Sequence, residues 1–127
     1  MVIIRPYRKE DEEFCKELLI TEGIPEEEQI FKTNLTWIME DGIPIGFFTL
    51  VQGEFMQLQH FGVRRGKRSI ERARMMVKTI KKIVAECGLT QLLIKVQKKY
   101  LQRMIEYYFK TSPVFRNGYE NTYLVKF

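Results

Sequence analysis

The 127-residue sequence predicts an α+β fold, a mixed, mainly antiparallel sheet flanked by helices, in the order β-α-α-β-β-β-α-β-α-β-β. Three observations carry this. Asp41-Gly42 and Asn117-Gly118 each sit between apolar, β-branched or aromatic stretches, and such pairs accept the positive φ of a tight hairpin turn. From Ile70 apolar residues recur at helical spacing, at Ala73, Val77, Ile80, Val84 and Cys87. Gln91 to Val96 is a second apolar run, placed directly after that helix, and reads as a buried strand beside the earlier ones.

Taken in order, Val2 to Arg5 is a first strand closed by Pro6, since proline tolerates a strand end but not its interior. Lys9 to Ile20 reads as an amphipathic helix with Phe14, Leu18 and Leu19 inward and its acids early, where they suit the helix dipole. Gly23 and Pro25 mark a loop into a short helix, Glu26 to Phe31. Leu35 to Glu40 and Ile43 to Val51 form the hairpin around Asp41-Gly42. Gln52-Gly53 turns the chain into a third antiparallel strand, Glu54 to Val63. The long helix from Ile70 ends at Gly88, a natural C-cap. After the buried strand comes a helix from Tyr100 to Lys110, then two short strands, Val114 to Arg116 and Tyr119 to Phe127. The length suits one domain, residues 1–127, burying roughly two-thirds of its unfolded surface.

Apolar residues make up 45% and charged residues 29%, which fits a globular chain and excludes a disordered one. No apolar run approaches the ~20 residues of a membrane span, and no basic-then-apolar leader opens the chain, so a cytoplasmic protein is expected. Cys15 and Cys87 match no metal or redox spacing and read as two buried, reduced thiols. With His60 the single histidine, no metal is expected. The net charge of +5 is unevenly divided. Residues 1–31 hold four basic and nine acidic side chains, whereas residues 64–82 hold nine basic ones and a single acid, Glu71. Such a patch attracts polyanions.

The basic patch begins in Arg64-Arg65-Gly66-Lys67-Arg68-Ser69, between a strand and a helix start. The first N–H groups of a helix lack internal partners and, with the helix dipole, favour an anion by roughly 0.3–1 kcal/mol when exposed. A phosphorylated ligand is therefore expected at this turn.

With these residues in view, the chain resembles the GNAT family, the GCN5-related N-acetyltransferases. The resemblance rests on the opening IRPYRKEDEEFCKELL, on the hairpin DGIPIGFFTL and above all on HFGVRRGKRS followed by a long helix, and it spans essentially the whole chain. It implies an acetyl-CoA-dependent N-acetyltransferase, with Phe61, Gly62 and Val63 lining the pantetheine and Arg65, Gly66, Lys67, Arg68 and Ser69 holding the pyrophosphate. Where the family reads R-G-x-G-x-G, this chain has Arg68 and Ile70 for the last two glycines. A side chain there blocks close approach of backbone to phosphate, or, as arginine, gives phosphate a charged fork. Ile70 fits the inward face of the helix.

Acetyl transfer needs a base for the amine and an acid for the leaving thiolate. The resemblance implies a tyrosine acid on the helix after the fifth strand, and that helix offers Tyr108 and Tyr107. For the base, His60 and Glu54 share one side of the strand by period-two alternation. The amine acceptor is unknown, and acids Glu22 and Glu26 to Glu28 would attract a cationic one. Two other readings stand beside the enzyme: a GNAT-fold protein that has lost catalysis and serves in binding or structure, and a nucleic-acid binder using Arg72, Arg74, Lys78, Lys81 and Lys82. The terminal strand, Tyr119 to Phe127, reads as an exposed edge able to pair two copies in a homodimer.

Overall fold

The computed structural model of the chain describes residues 1–23 and 35–127. The expected short helix Glu26 to Phe31, with its three acids, lies outside them. The described elements are β1 (Ile3–Pro6), a single 3-10 turn (Lys9–Asp11), α1 (Glu12–Thr21), β2 (Leu35–Asp41), β3 (Ile43–Val51), β4 (Gln57–Val63), α2 (Ile70–Glu86), β5 (Gln91–Val96), α3 (Lys99–Tyr108), β6 (Phe115–Asn117) and β7 (Glu120–Lys126). They build one seven-stranded sheet in the order β1-β2-β3-β4-β5-β7-β6. Every neighbouring pair is antiparallel except β4 and β5. The mixed, mainly antiparallel sheet flanked by helices is thus the observed architecture.

Helices cover both faces. On one face α1 lays Cys15, Leu18 and Leu19 over Ile38 and Phe47. On the other, Met76, Val77, Ile80 and Val84 of α2, with Ile105 of α3 and Phe109 just after it, pack on Met39, Phe48, Leu50, Leu58, Ile94, Tyr123 and Val125. Each such apolar side chain contributes about 1.5–3 kcal/mol by leaving water. Helix α2 starts where Ser69 Oγ accepts the Arg72 N–H at 3.1 Å. It ends before Gly88, whose φ of 73° lets the chain turn away at little steric cost.

Tertiary context altered several sequence expectations. Ile70 and Cys87 are exposed, so the inward stripe of α2 runs only from Met76 to Val84. Periodicity sets the angle of a residue around a helix, not how far the packed neighbour extends. Cys15 is buried as expected, and burial pushes its thiol up to about 12, leaving it inert. The final strand is an edge only in its second half: β6 covers Glu120 to Thr122, and no described strand pairs with Tyr123 to Lys126 on that side. Strand β7 lies between β5 and β6, paired along its length with β5, and β6 is the outer strand. An Asn-Gly hairpin predicts that two strands pair, without saying which of them meets the rest of the sheet.

Gly46 marks a close backbone approach. A Cβ there would stand 2.5 Å from the Gly62 carbonyl oxygen and 3.0 Å from the Val63 Cα. Gly46→Ala must therefore push β3 and β4 apart, and a loss of about 1–3 kcal/mol is expected, read as a lower urea midpoint with an unchanged slope. A midpoint equal to wild type would show that β4 shifts without resistance.

Candidate functional site

Strands β4 and β5 run parallel but pair only at Gln57 with Leu93 and Leu58 with Ile94. The Leu93 N–H donates to the Met56 carbonyl at 2.8 Å, and beyond that point the two strands part. The register of β4 explains where. Leu58 sits opposite Leu50, yet His60 sits opposite Thr49, so Gln59 is an extra residue, a β-bulge that bends the strand. Residues paired directly across a sheet share a face, so Leu58 faces α2 while His60 faces α1, on the side of Phe47.

The parting opens a cavity of about 690 Å³. Gln59, His60, Phe61 and Gly62 form one wall, and Val96, Gln97 and Lys98 the other. Leu18, Leu19 and Glu22 from the α1 side and Tyr100 and Leu101 of α3 complete it. Its β4 wall presents main-chain groups. The Arg64 N–H donates to the Ile45 carbonyl at 2.7 Å. Antiparallel alternation then turns the N–H and C=O groups of Gly62 and His60 towards β3, and those of Phe61 and Val63 towards the cleft.

Beside it, joined to Glu22 and Tyr100 of the cleft wall through Arg68, lies the basic turn. The Lys67 N–H closes it onto the Arg64 carbonyl at 2.9 Å, and Arg72 Nη1 donates to the Lys67 carbonyl at 2.7 Å. Gly66 has no heavy atom within 4 Å of where a Cβ would stand, so the turn is open above it. A second cavity, of about 480 Å³, lies between this turn (Arg64 to Lys67) and Phe14, Glu17, Leu18 and Thr21 of α1.

No family model matches the sequence, and no curated protein matches it. Solved structures do, over the whole chain. An IAA acetyltransferase from Bacillus cereus ATCC 14579 superposes with a TM-score of 0.77 at 13% identity, covering 100% of both chains. The PaiA N-acetyltransferase from Thermoplasma acidophilum, in complex with coenzyme A, gives 0.77 at 14% identity over 100% of this chain and 99% of the other. A GNAT family acetyltransferase from Elizabethkingia anophelis with acetyl-CoA bound gives 0.73 at 14% identity over 99% and 98%. The chain has the GNAT fold.

Within this GNAT fold the sequence-predicted residues divide. His60, Phe61 and Gly62 line the cleft, with Val63 at the end of the same strand. Arg65, Gly66 and Lys67 line the second cavity, and Ser69 caps α2. His60 is buried, its ring 6.3 Å from that of Phe47. Glu54 is not its neighbour. It is exposed in the bend before β4, which starts at Gln57, and it lines neither cavity. The alternation that put the two on one side is broken by the bulge at Gln59. Tyr107 and Tyr108 stack edge to face with centroids 4.9 Å apart near the far end of α3 and also line neither cavity. Among the described residues no group of three or more histidine, cysteine or acidic side chains gathers as a metal would need.

Tyr100, Lys98 and Glu120 in the cleft wall were not singled out from the sequence. A usable signal existed: Gln97 to Tyr100 follow the carboxyl end of a strand predicted to be buried, and sites in sheets with parallel neighbours gather at carboxyl ends.

Arg68 does not point into solvent. Its Nε donates to the Val63 carbonyl at 2.8 Å, and its Nη2 donates to Glu22 Oε1 at 2.8 Å and to the Tyr100 hydroxyl at 3.0 Å. The guanidinium lies 4.5 Å above the Tyr100 ring. Lys98 Nζ donates to the other Glu22 oxygen. Burial pushes the Glu22 carboxyl up, but the Lys98 hydrogen bond and the charges of Lys98 and Arg68 outweigh it, and its pKa is lowered. Tyr100 is raised, by burial first and by Glu22 next, so its phenol keeps its proton at neutral pH.

Proposed function

We propose that this protein transfers an acetyl group from acetyl-CoA to an amine. The observation that carries the reading is the parting of β4 and β5 beside the Arg64–Ser69 turn. It combines a strand edge that is open at Phe61, and held at the Val63 carbonyl by Arg68, with a cationic turn that leads into a helix start. An extended amide-bearing arm pairs with such an edge, and an attached diphosphate finds donors at the turn. Structures of the same fold carry coenzyme A or acetyl-CoA. Phe61, Gly62 and Val63 would hold the arm, and Arg65, Gly66, Lys67, Arg68 and Ser69 the phosphates.

The coenzyme supplies the activated acyl group. A main-chain N–H on the open edge of β4 polarises its carbonyl. On the α1 face of the cleft, His60 takes the proton of the attacking amine, directly or through one water. Tyr100, a phenol kept protonated and facing the cleft, stands where Tyr107 and Tyr108 do not, and donates a proton to the leaving thiolate. The acceptor enters from the α1 side, where Glu120 favours a cationic amine; Glu22, already shared by Arg68 and Lys98, does not add to this.

A second reading, a GNAT-fold protein kept for binding without catalysis, has one observation in its favour: the Arg68 side chain already occupies the Val63 carbonyl. Calorimetric titration with acetyl-CoA at moderate salt, with ATP and a short DNA duplex as polyanion controls, separates the readings. Saturable one-to-one binding of acetyl-CoA that ATP does not reproduce and Gly66→Trp abolishes is expected. An equal response to every polyanion would instead leave the exposed cations of the turn and α2 as a nucleic-acid surface. No acetyl-CoA heat at all would end the enzyme reading.

A further inference from the structure

The Arg68 cluster carries a charge imbalance. One carboxylate, Glu22, is shared by two cations, Arg68 and Lys98, and further accepts a long contact from Tyr100 at 3.4 Å. The cluster joins three places distant in sequence: the end of α1, the turn before α2 and the turn before α3. It stands beside the cleft. Arg68 alone among its members holds the open edge of β4, through the Val63 carbonyl.

We propose that Glu22 is a built-in competitor for Arg68 and that a phosphate of the coenzyme replaces it. The inference rests on the acetyl-CoA reading above and deepens it. Glu22 holds the Arg68 guanidinium beside the cleft while its Nε stays on the Val63 carbonyl. The incoming diphosphate offers the same guanidinium a bidentate anion of higher total charge than one carboxylate. Arg68 then swings from Glu22 and Val63 to the phosphate, which uncovers the Val63 carbonyl for the amide-bearing arm. Lys98 makes the exchange inexpensive: its ammonium stays on the Glu22 carboxylate, so no anion is left half-buried without a partner. Side-chain exposures of 34% for Arg68 and 22% for Glu22 leave both within reach of a ligand. An arginine at this position of the turn thus serves as gate when the site is empty and as phosphate clamp when it is filled.

The test is calorimetric titration of wild type, Glu22→Gln and Arg68→Ala with two probes, acetyl-CoA and acetyl-pantetheine, which has the arm but no phosphate. Folding of each variant is checked by its urea midpoint. Glu22→Gln removes the competing charge, and acetyl-CoA should bind about two- to fivefold more tightly, as the loss of one partly exposed ion pair allows. Arg68→Ala should lose roughly tenfold or more for acetyl-CoA, since a charged hydrogen-bond partner is gone, while gaining for acetyl-pantetheine, whose edge is now clear. Wild type and Glu22→Gln binding acetyl-CoA equally would overturn the exchange and leave the acetyl-CoA reading standing. So would tighter acetyl-CoA binding by Arg68→Ala, which makes Arg68 a plug and nothing more. Failure of every variant to bind acetyl-CoA would remove the underlying reading itself.

Discussion

Asp11→Ala is expected to cost about 3–5 kcal/mol, because it leaves a nearly buried arginine without its main partner. Arg5 Nη1 and Nη2 reach the two Asp11 carboxylate oxygens at 2.8 and 2.9 Å, and the Arg8 N–H adds a third hydrogen bond at 2.8 Å. Asp11 is 3% exposed. The pair ties β1 to the turn that launches α1, and so sets the helix against the sheet face that carries His60. Glu40, 3.0 Å from Arg5 Nε, remains as partial compensation, which points to the lower end of the range. Urea unfolding checks the size, and a loss below about 1 kcal/mol would place the pair among exposed ion pairs. The pH dependence has a definite sign. The Arg5 hydrogen bonds outweigh burial and hold the Asp11 carboxyl below its ordinary 3.8. Its stabilisation is therefore fully present above that value and lost as pH falls through the lowered one. Asp11→Asn should remove this acid-side component.

The second large effect concerns turnover. His60→Ala should lower kcat/KM for acetyl transfer by about 10²–10⁴-fold, the span usual for a positioned base, with acetyl-CoA affinity nearly unchanged. Added imidazole, small enough for the space the side chain leaves, should restore part of the rate. An alanine variant with wild-type turnover would move the base to another group on the α1 face, with Glu120 first in line. The same variant separates roles, because a merely structural His60 would lose stability without imidazole rescue.

Much of this was legible in the chain. Asp41-Gly42 and Asn117-Gly118 form the hairpins they predict, and Gly88 ends α2. The basic turn lies between β4 and α2, lining the second cavity and reaching the cleft wall through Arg68. These are local signals: a turn residue or a helical period acts over a few neighbours, and its physics is complete within them.

What the sequence determined by itself was the series of elements, the faces most of them bury and the place where cations gather. Only the tertiary structure decided which side chains meet. The bulge at Gln59 separates His60 from Leu58 by face and from Glu54 by register, and it depends on how β3 pairs with β4. Tyr100 rather than Tyr107 or Tyr108 lines the cleft because α3 runs away from the parted strands, leaving its first turn beside them. Arg68 finds Glu22 across 46 residues of chain. Contacts of that separation arise from packing free energy summed over the whole domain, and no window of the sequence contains it.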